Sequence, residues 1–147
     1  MIALIQRVSS SSVSVDSKVV SKIDRGYNIL LGIMQDDTID DIQKLVAKIL
    51  KLRLFSDECG KMNLSIKEVD GEILVVSQFT LAANAKKGNR PSFSAAMNPK
   101  DAKELYRAFI ENLSNYITVK EGIFGASMSV EIVNDGPVTI ILDSKKL

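Results

Sequence analysis

The chain opens with hydrophobic positions that alternate with polar ones, the two-residue period of a half-buried β-strand. The alternating positions are Ile2, Leu4, Val8, Val13 and Val15. A turn at Asp16–Lys18 and a second apolar stretch, Val19–Ile23, then predict a hairpin. Tyr27–Met34 is a continuous apolar run, which is typical of a strand that is buried on both faces.

Two later stretches have the spacing of amphipathic helices. Asp36–Thr38 is an N-cap signal, and its acidic residues, with Asp40 and Asp41, suit the positive end of a helix dipole. Apolar positions then recur at Ile39, Ile42, Leu45, Val46, Ile49 and Leu50. Asn98-Pro99 predicts the second helix, with Asn as the cap and Pro at the first helical position. Its apolar face comprises Ala102, Leu105, Tyr106, Phe109, Ile110 and Leu113.

The remaining apolar stretches predict further strands, at Arg53–Phe55, Glu72–Phe79, Ala126–Val133 and Pro137–Asp143. The last two are expected to be joined by a turn at Asn134–Gly136, and residues 82–91 are expected to be a loop. Seven or eight strands, many of them adjacent in sequence, favour hairpins. We therefore expect an α/β protein with one domain over residues 1–147, largely antiparallel sheets and two long helices packed on them.

Composition narrows the possible chemistry. The 147 residues include no histidine and one cysteine, Cys59, which removes Ser-His-Asp and Cys-His catalysis and makes a zinc site unexpected. We expect no metal and no cofactor. No apolar run approaches the roughly 20 residues that a membrane span needs, and no signal peptide is recognisable, so a cytoplasmic protein is expected.

The formal net charge is +1, from 19 basic and 18 acidic residues, which argues against a protein that coats long nucleic acids. This net charge does not exclude a local contact between the protein and the end of an RNA.

The first candidate site is Ser77-Gln78-Phe79-Thr80, where a buried strand enters a polar loop. Backbone N–H groups that lose their partners at a strand end can bind a developing oxyanion, and the two hydroxyls could position or attack a carbonyl. The alternative is an ordinary strand end whose hydroxyls make local hydrogen bonds.

Two other segments carry candidate chemistry. Lys86, Lys87 and Arg90 lie in the following loop and could bind phosphates, or could be a solvated surface. Gly136-Pro137 predicts a tight turn. Because only about 5–6% of X–Pro bonds are cis, frequency alone favours a trans bond there.

Taken together, these segments resemble the bacterial-type D-aminoacyl-tRNA deacylase family over the whole chain. The family's two signature motifs, Ser-Gln-Phe-Thr and Gly-Pro, occur in order. The strongest matching segment is Gly71–Leu81, which contains the first motif, and the others are Ile5–Val8, Leu31-Gly32, Lys61–Ser65, Gly88, Arg90–Ser94, Phe124-Gly125 and Asn134–Thr139. Ala82 and Asn84 depart from the family, which often has an aromatic residue and an aspartate there, and this difference affects the rim of the pocket.

The resemblance implies a three-layer α/β/β fold, a homodimer with no membrane contact, and a site at the dimer interface. It implies hydrolysis of the ester that joins a D-amino acid to the 3′-terminal adenosine of tRNA, assisted by the substrate 2′-OH. The backbone of Phe79 and Thr80 would hold the oxyanion. Gly136-Pro137, with a cis bond, would enter the partner's pocket and reject L-amino acids, and Phe124 and Met128 would bind substrate. Glycyl-tRNA, including glycine mischarged on tRNA(Ala), is an expected side substrate.

Two other functions remain as alternatives. One is a non-enzymatic domain that binds an RNA end or a nucleotide in the same pocket. The other is a small-molecule hydrolase that uses Ser77 or Thr80 as its nucleophile. An unactivated threonine hydroxyl is a poor nucleophile without a base, so we interpret Thr80 as a positioning residue.

Overall fold

The fold was analysed in a computed structural model, which describes residues 1–86 and 88–147. The two α-helices are α1 (Ile39–Lys51) and α2 (Pro99–Ser114), and Phe79–Ala82 and Ser144–Lys146 form short 3-10 helices. The strands are β1 (Ile2–Val15), β2 (Lys18–Ile23), β3 (Gly26–Gly32), β4 (Arg53–Ser56), β5 (Met62–Ser65), β6 (Glu72–Ser77), β7 (Val119–Glu121) and β8 (Ser129–Asp143).

Strand β1 is the centre of the main sheet. It pairs antiparallel with β2, β3 and β8, whereas β6 pairs in parallel with both β3 and β7. Strands β4 and β5 form a separate antiparallel pair. The largely antiparallel prediction is therefore confirmed, with an exception at β6. The chain reaches and leaves β6 through connections that contain α1 and α2, and such crossovers permit parallel pairing.

The sheet is covered on both faces. On one face both helices pack against the first half of β1, β3 and β6, through buried residues such as Ile5, Ile29, Leu45 and Phe109. On the other face a smaller core contains Val8, Val13, Ile23, Leu74 and Val76, with Met128, Val130 and Ile132 packed against it. The second half of β1, with β2 and the first half of β8, therefore folds over the sheet as another β layer. This arrangement is the expected three-layer order of helices, sheet and sheet.

The last hairpin that the sequence predicts does not form. Ser129–Asp143 is one strand, and both of its halves pair antiparallel with β1, from Ser14 opposite Ser129 to Ile2 opposite Asp143. Asn134–Gly136 therefore lies within a strand and does not reverse the chain. Four residues of β8, Asp135–Val138, lie opposite the single residue Arg7, which makes this segment a large bulge.

The helix predictions are confirmed at their starts. Thr38 and Asp41 form a capping box for α1, and the Asn98 side chain accepts a hydrogen bond from the backbone N–H of Asp101 in α2. Ile39, expected on the apolar face, is half exposed because it precedes the first buried turn. The short strands β5 and β7 were not predicted. Within the described ranges, no helix is long and apolar enough to cross a membrane.

The start of α1 also carries a buried ionic cluster. The Met1 amino group donates hydrogen bonds to Asp37 and to Ser144 Oγ, at 2.8 Å for the latter. Ser144 Oγ in turn donates to Asp41 Oδ1 at 2.7 Å, and Lys145 Nζ donates to Asp41 Oδ2 at 2.9 Å. Asp37 and Asp41, which the sequence places at the positive end of a helix dipole, are thus buried because residues from the two ends of the described chain meet there.

Desolvation acts to raise the pKa of Asp41, but it is opposed by hydrogen bonds from Ser144, Lys145 and Thr38 to the carboxylate. These bonds together outweigh burial and hold the pKa of Asp41 well below its usual value. A depressed carboxyl pKa contributes stability above the unfolded-state pKa of about 3.9, and that stability is lost as the pH falls towards the folded-state pKa.

We expect Asp41→Asn to lower the free energy of unfolding at pH 7 by about 1.5–3 kcal/mol, because it removes charge-assisted hydrogen bonds at a buried site. The difference from the parent chain should shrink as the pH falls below about 4. Chemical denaturation between pH 3 and pH 7 measures both effects. Asp40→Asn, an exposed change in the same helical turn, is the matched control. Equal losses in the two variants would contradict the role assigned to Asp41.

Candidate functional site

A cleft of about 650 Å³ opens beyond the carboxyl end of β6. Its walls come from three parts of the chain: the ends of β3 and β6, the start of α2 with the segment before it, and the segment that leads into β8. The lining residues are Leu31, Ile33, Val76, Ser77, Gln78, Phe79, Phe93, Ala96, Met97, Asn98, Pro99, Ala102, Phe124, Gly125, Ala126, Met128 and Val130.

The first three residues of the predicted Ser-Gln-Phe-Thr site, Ser77, Gln78 and Phe79, line this cleft. Ser77 is the last residue of β6, and the Gln78 N–H still donates to the Leu31 carbonyl at 2.8 Å. The chain then turns into the 3-10 helix, in which Leu81 N–H donates to the Gln78 carbonyl at 3.2 Å. The N–H groups of Phe79 and Thr80 come first in this helix, where a helix has no acceptor for them. The turn therefore leaves two adjacent amide donors, one on the cleft-lining residue Phe79 and one on its neighbour Thr80.

Thr80 is exposed, as Phe79 is, but unlike Phe79 it does not line the cleft. Its hydroxyl oxygen accepts a hydrogen bond from the Gln78 side-chain amide. Among the described residues, no acid or base is hydrogen-bonded to this hydroxyl. The contact orients Thr80 but gives it no group that could remove its proton, which agrees with a positioning role.

Aromatic side chains form the other walls. Phe79 is 59% exposed and meets Phe93 edge to face, with ring centroids 5.1 Å apart. Phe124 packs on Tyr106, whose centroid is 5.6 Å away, and the Tyr106 hydroxyl donates to the Val75 carbonyl at 2.9 Å. Burial raises the pKa of Tyr106, so its hydroxyl remains a neutral donor. Tyr106 therefore links α2 to β6 behind the cleft wall that Phe124 forms.

The cleft contains no ionisable side chain among its described lining residues. Its polar groups are the Ser77 hydroxyl, the Gln78 and Asn98 amides and backbone groups. Across residues 1–86 and 88–147, no group of three or more acidic, cysteine or histidine residues is placed to hold a metal ion. The side chains of this site can thus bind and orient a substrate, but general acid–base catalysis would need a group from outside the cleft.

Phe124 and Met128, expected to bind substrate, line the same cleft as Ser77, Gln78 and Phe79. Gly136 and Pro137 do not. They are exposed at the β8 bulge and are absent from the cleft lining of their own chain. The Gly136–Pro137 peptide bond is cis, so the trans expectation from average frequency is wrong, whereas the resemblance gave the correct isomer.

The bulge is fixed by two side chains. The Asn134 amide accepts from the Val138 N–H at 2.8 Å, which closes the segment on itself. Arg7 is 8% exposed and donates to the Asp135 carbonyl at 2.9 Å and to the Leu54 carbonyl at 2.5 Å. Sequence reasoning gave Arg7 no role, although a single cation in a strand whose other polar residues are all uncharged is a signal that could have identified it.

The basic loop adjoins the cleft rim. Backbone hydrogen bonds between Asn84 and Ser92, at 2.8 and 2.9 Å, close the base of the loop next to Phe93. Lys86 and Arg90 are exposed, and Lys87 lies outside the described residues. The two departures from the family pattern lie in different surroundings. Ala82 is buried, whereas the Asn84 side chain accepts a hydrogen bond from the Lys86 N–H at 3.0 Å. Asn84 therefore shapes the loop.

Comparisons with known proteins agree with this geometry. A family model described as D-Tyr-tRNA(Tyr) deacylase matches residues 4–143. The chain is 63% identical to a protein of a Nitratiruptor species and 56% identical to one of Aquifex aeolicus. Both are named D-aminoacyl-tRNA deacylase, and each match covers 100% of both chains.

Two solved structures share the fold. One, titled c-Myc DNA Unwinding Element Binding Protein, is 46% identical, with a TM-score of 0.93 and coverage of 97% of this chain and 98% of its own. The other, titled as a probable eukaryotic D-amino acid tRNA deacylase, has a TM-score of 0.83 over 96% of this chain and 97% of its own. At 17% identity it supports the fold alone. Because the family model spans nearly all of the chain and full-length relatives reach 63% identity, the chain belongs to the D-Tyr-tRNA(Tyr) deacylase family.

Proposed function

We propose that this protein hydrolyses the ester bond of D-aminoacyl-tRNA and releases the free D-amino acid and the tRNA. The observation that carries the proposal is the uncharged cleft at the end of β6, whose lining includes the start of the 3-10 turn that begins with Phe79 and Thr80. Membership of a deacylase family supports the same reaction. An aminoacyl ester is hydrolysed more easily than a peptide bond. Two oriented backbone N–H donors therefore supply a substantial part of the catalysis that the ester requires.

The reaction needs a proton acceptor that the cleft does not supply. Water attacks the carbonyl carbon, and the oxyanion that forms accepts hydrogen bonds from the Phe79 and Thr80 amides. The bond between the carbonyl carbon and the ribose O3′ then breaks. The neighbouring 2′-OH relays the proton that water loses to O3′, so that the products are the amino acid and a free 3′-OH. This route suits a cleft whose described side chains cannot titrate.

The protein acts as a homodimer in this proposal. Gly136 and Pro137 are exposed and lie outside their own chain's cleft, so they can meet a bound substrate only by entering the cleft of a second copy. Exposed apolar side chains on the same strand, Val133 and Ile141, are suited to such an interface. Each complete site would then combine the Ser77–Thr80 segment of one protomer with the Gly136-Pro137 segment of its partner.

The partner's Gly-Pro segment would set the chirality of the substrate. D- and L-amino acids differ by the exchange of hydrogen and side chain at Cα, so a rigid wall on one side rejects L-esters by steric clash. Arg7 and Asn134 hold the bulge in place and so give the wall its rigidity. Glycine has no side chain to clash, and glycyl-tRNA, including glycine on tRNA(Ala), is therefore a further substrate.

A second candidate function is nucleic-acid binding without hydrolysis. One solved relative is titled as a protein that binds a DNA unwinding element, and the same cleft could hold an RNA end. The two candidates differ in whether the ester is cleaved. Incubation with D-tyrosyl-tRNA and L-tyrosyl-tRNA should give rapid loss of the D-ester only, whereas binding of either ester without cleavage would favour the second candidate.

Catalysis should depend more on the substrate 2′-OH than on the Thr80 hydroxyl. Substrate with a 2′-deoxy terminal adenosine should react about a hundred-fold or more slowly, since it loses the proton relay. Thr80→Val should cost less than about ten-fold, because the backbone amide of residue 80 is kept. Single-turnover rates on both substrates measure these effects. An acyl-enzyme trapped on Thr80 or Ser77 would contradict the mechanism and favour the small-molecule hydrolase alternative.

The shared site predicts complementation between two inactive variants. Gly136→Ala should distort the bulge, because Gly136 has φ +139° and an added Cβ would lie 2.8 Å from Val138 Cγ2. Ala126→Trp should fill the cleft from a loop that lines it. After the two variants are mixed in equal amounts and their subunits exchanged, half of the dimers carry one intact site, which restores about a quarter of the parent activity per chain.

Controls for this experiment are circular dichroism and sedimentation, which must show that each variant is folded and dimeric before mixing. A monomeric parent protein, or a mixture of folded and exchanged dimers that regains no activity, would exclude a site composed from two protomers.

The loop of Lys86, Lys87 and Arg90 is proposed to bind tRNA phosphates near the 3′ end. Changing all three to glutamine should raise the Michaelis constant for D-tyrosyl-tRNA several-fold and leave the maximal rate nearly unchanged, because such contacts position the RNA. Steady-state kinetics at low salt measure this change. An unaltered Michaelis constant would leave the loop as a solvated surface.

A further inference from the structure

The start of α2 has two different sides. Asn98, Pro99 and Ala102 face the cleft and line it, so the first turn of this helix is part of the cleft wall. Further along, the inner side of α2 is buried in the main core through Tyr106 and Phe109. The outer side is exposed and begins at the edge of the cleft.

Three cations lie on that outer side. Lys100, Lys103 and Arg107 are all exposed, and an α-helix with 3.6 residues per turn places them within roughly 60° of one another around its axis. At 1.5 Å per residue, they extend for about 10 Å along the helix from the cleft. We call these three residues the α2 stripe.

The charge of the α2 stripe is not neutralised by the fold. None of its members makes an ion pair within 4 Å in the described part of the chain. Glu104 and Glu111 are exposed on the same side and lower the local charge, but neither makes such an ion pair with the described residues. The positive end of the α2 dipole lies at the cleft and adds to the potential there. The outer side of α2 therefore carries three cations against two carboxylates, and its first cation, Lys100, is next to the cleft-lining residue Pro99.

We propose that the α2 stripe binds the phosphate backbone of the tRNA acceptor stem while the aminoacylated 3′ end occupies the cleft. The inference rests on the proposed deacylase function and adds the path that the RNA takes outside the cleft. A row of cations that starts at the cleft edge fits a polyanion that continues from the bound nucleotide. An amino acid or a single nucleotide would be too short to reach Arg107.

The chain offers a matched control. Lys44, Lys48 and Lys51 are three exposed cations on the outer side of α1 that also make no ion pair with described residues. No residue of α1 lines the cleft. Changing either set to glutamine removes the same charge and retains good helix propensity. The two triple variants therefore differ in where the charge is lost.

The experiment compares the parent protein and the two triple variants on D-tyrosyl-tRNA and on a short ester, 3′-D-tyrosyl-adenosine, over a range of salt concentrations. Lys100→Gln/Lys103→Gln/Arg107→Gln should raise the Michaelis constant for the tRNA roughly ten-fold at low salt. The dependence of log(kcat/KM) on log salt should become shallower by about 2–3. Activity on the short ester should stay within about two-fold of the parent, and the α1 variant should behave like the parent on both substrates.

Three results would overturn the inference. The first is an α2 variant whose Michaelis constant and salt dependence equal those of the parent. The second is an equal change in the α1 variant, which would indicate an effect of the overall charge. The third is an equal loss on the tRNA and on the short ester, which would indicate damage to the cleft. Failure of the proposed function itself is distinguishable, because the parent protein would then cleave neither substrate.

Discussion

The structure depends on the bulge of β8 opposite Arg7 and on the buried cation that sits there. Strand β8 pairs with β1 on both sides of this bulge, in which four of its residues lie opposite Arg7. The Arg7 guanidinium joins the β8 bulge to β4 by its hydrogen bonds to the carbonyls of Asp135 and Leu54. A buried cation without such partners costs several kcal/mol, so its presence ties the position of the bulge to the integrity of the fold.

The arrangement of the layers also creates the cleft. Because the second half of β1 and the first half of β8 fold over the sheet, Met128 and Val130 reach the same cleft as the end of β6. The start of α2 closes the cleft from the helical side through Pro99 and Ala102. The site is thus formed where three layers meet, and its lining includes residues of both hydrophobic cores.

The chemistry of the site follows from an unusual absence in the sequence. The chain has no histidine, and its described cleft residues are all uncharged. Backbone N–H groups are therefore the main groups in the cleft that can stabilise a developing charge. Such amides stabilise charge that develops on a carbonyl oxygen, but they cannot accept a proton. The proposed reaction assigns that task to the substrate, and selectivity then becomes a matter of shape and of which surfaces hold the RNA.

Local features of this protein were readable from the sequence. Thr38 and Asn98 marked the starts of the helices, alternation marked β1 and β2, and the paired motifs at Ser77–Thr80 and Gly136-Pro137 indicated the family. These features depend on residues that are close in the chain, where periodicity, capping and motif order carry the information.

The tertiary structure decided what depends on distant residues. Alternation cannot reveal whether two apolar stretches form a hairpin or one bulged strand, so the continuity of β8 was missed, and β5 and β7 are too short to give a period. The burial of Asp37 and Asp41 depends on the chain ends that meet them, and the role of Arg7 depends on β4 and β8. The residues that form the cleft could be named from the sequence in part, but only packing separated Gly136 and Pro137 from the cleft of their own chain. Strand pairing and packing are set by contacts between segments far apart in sequence, and no local pattern encodes them.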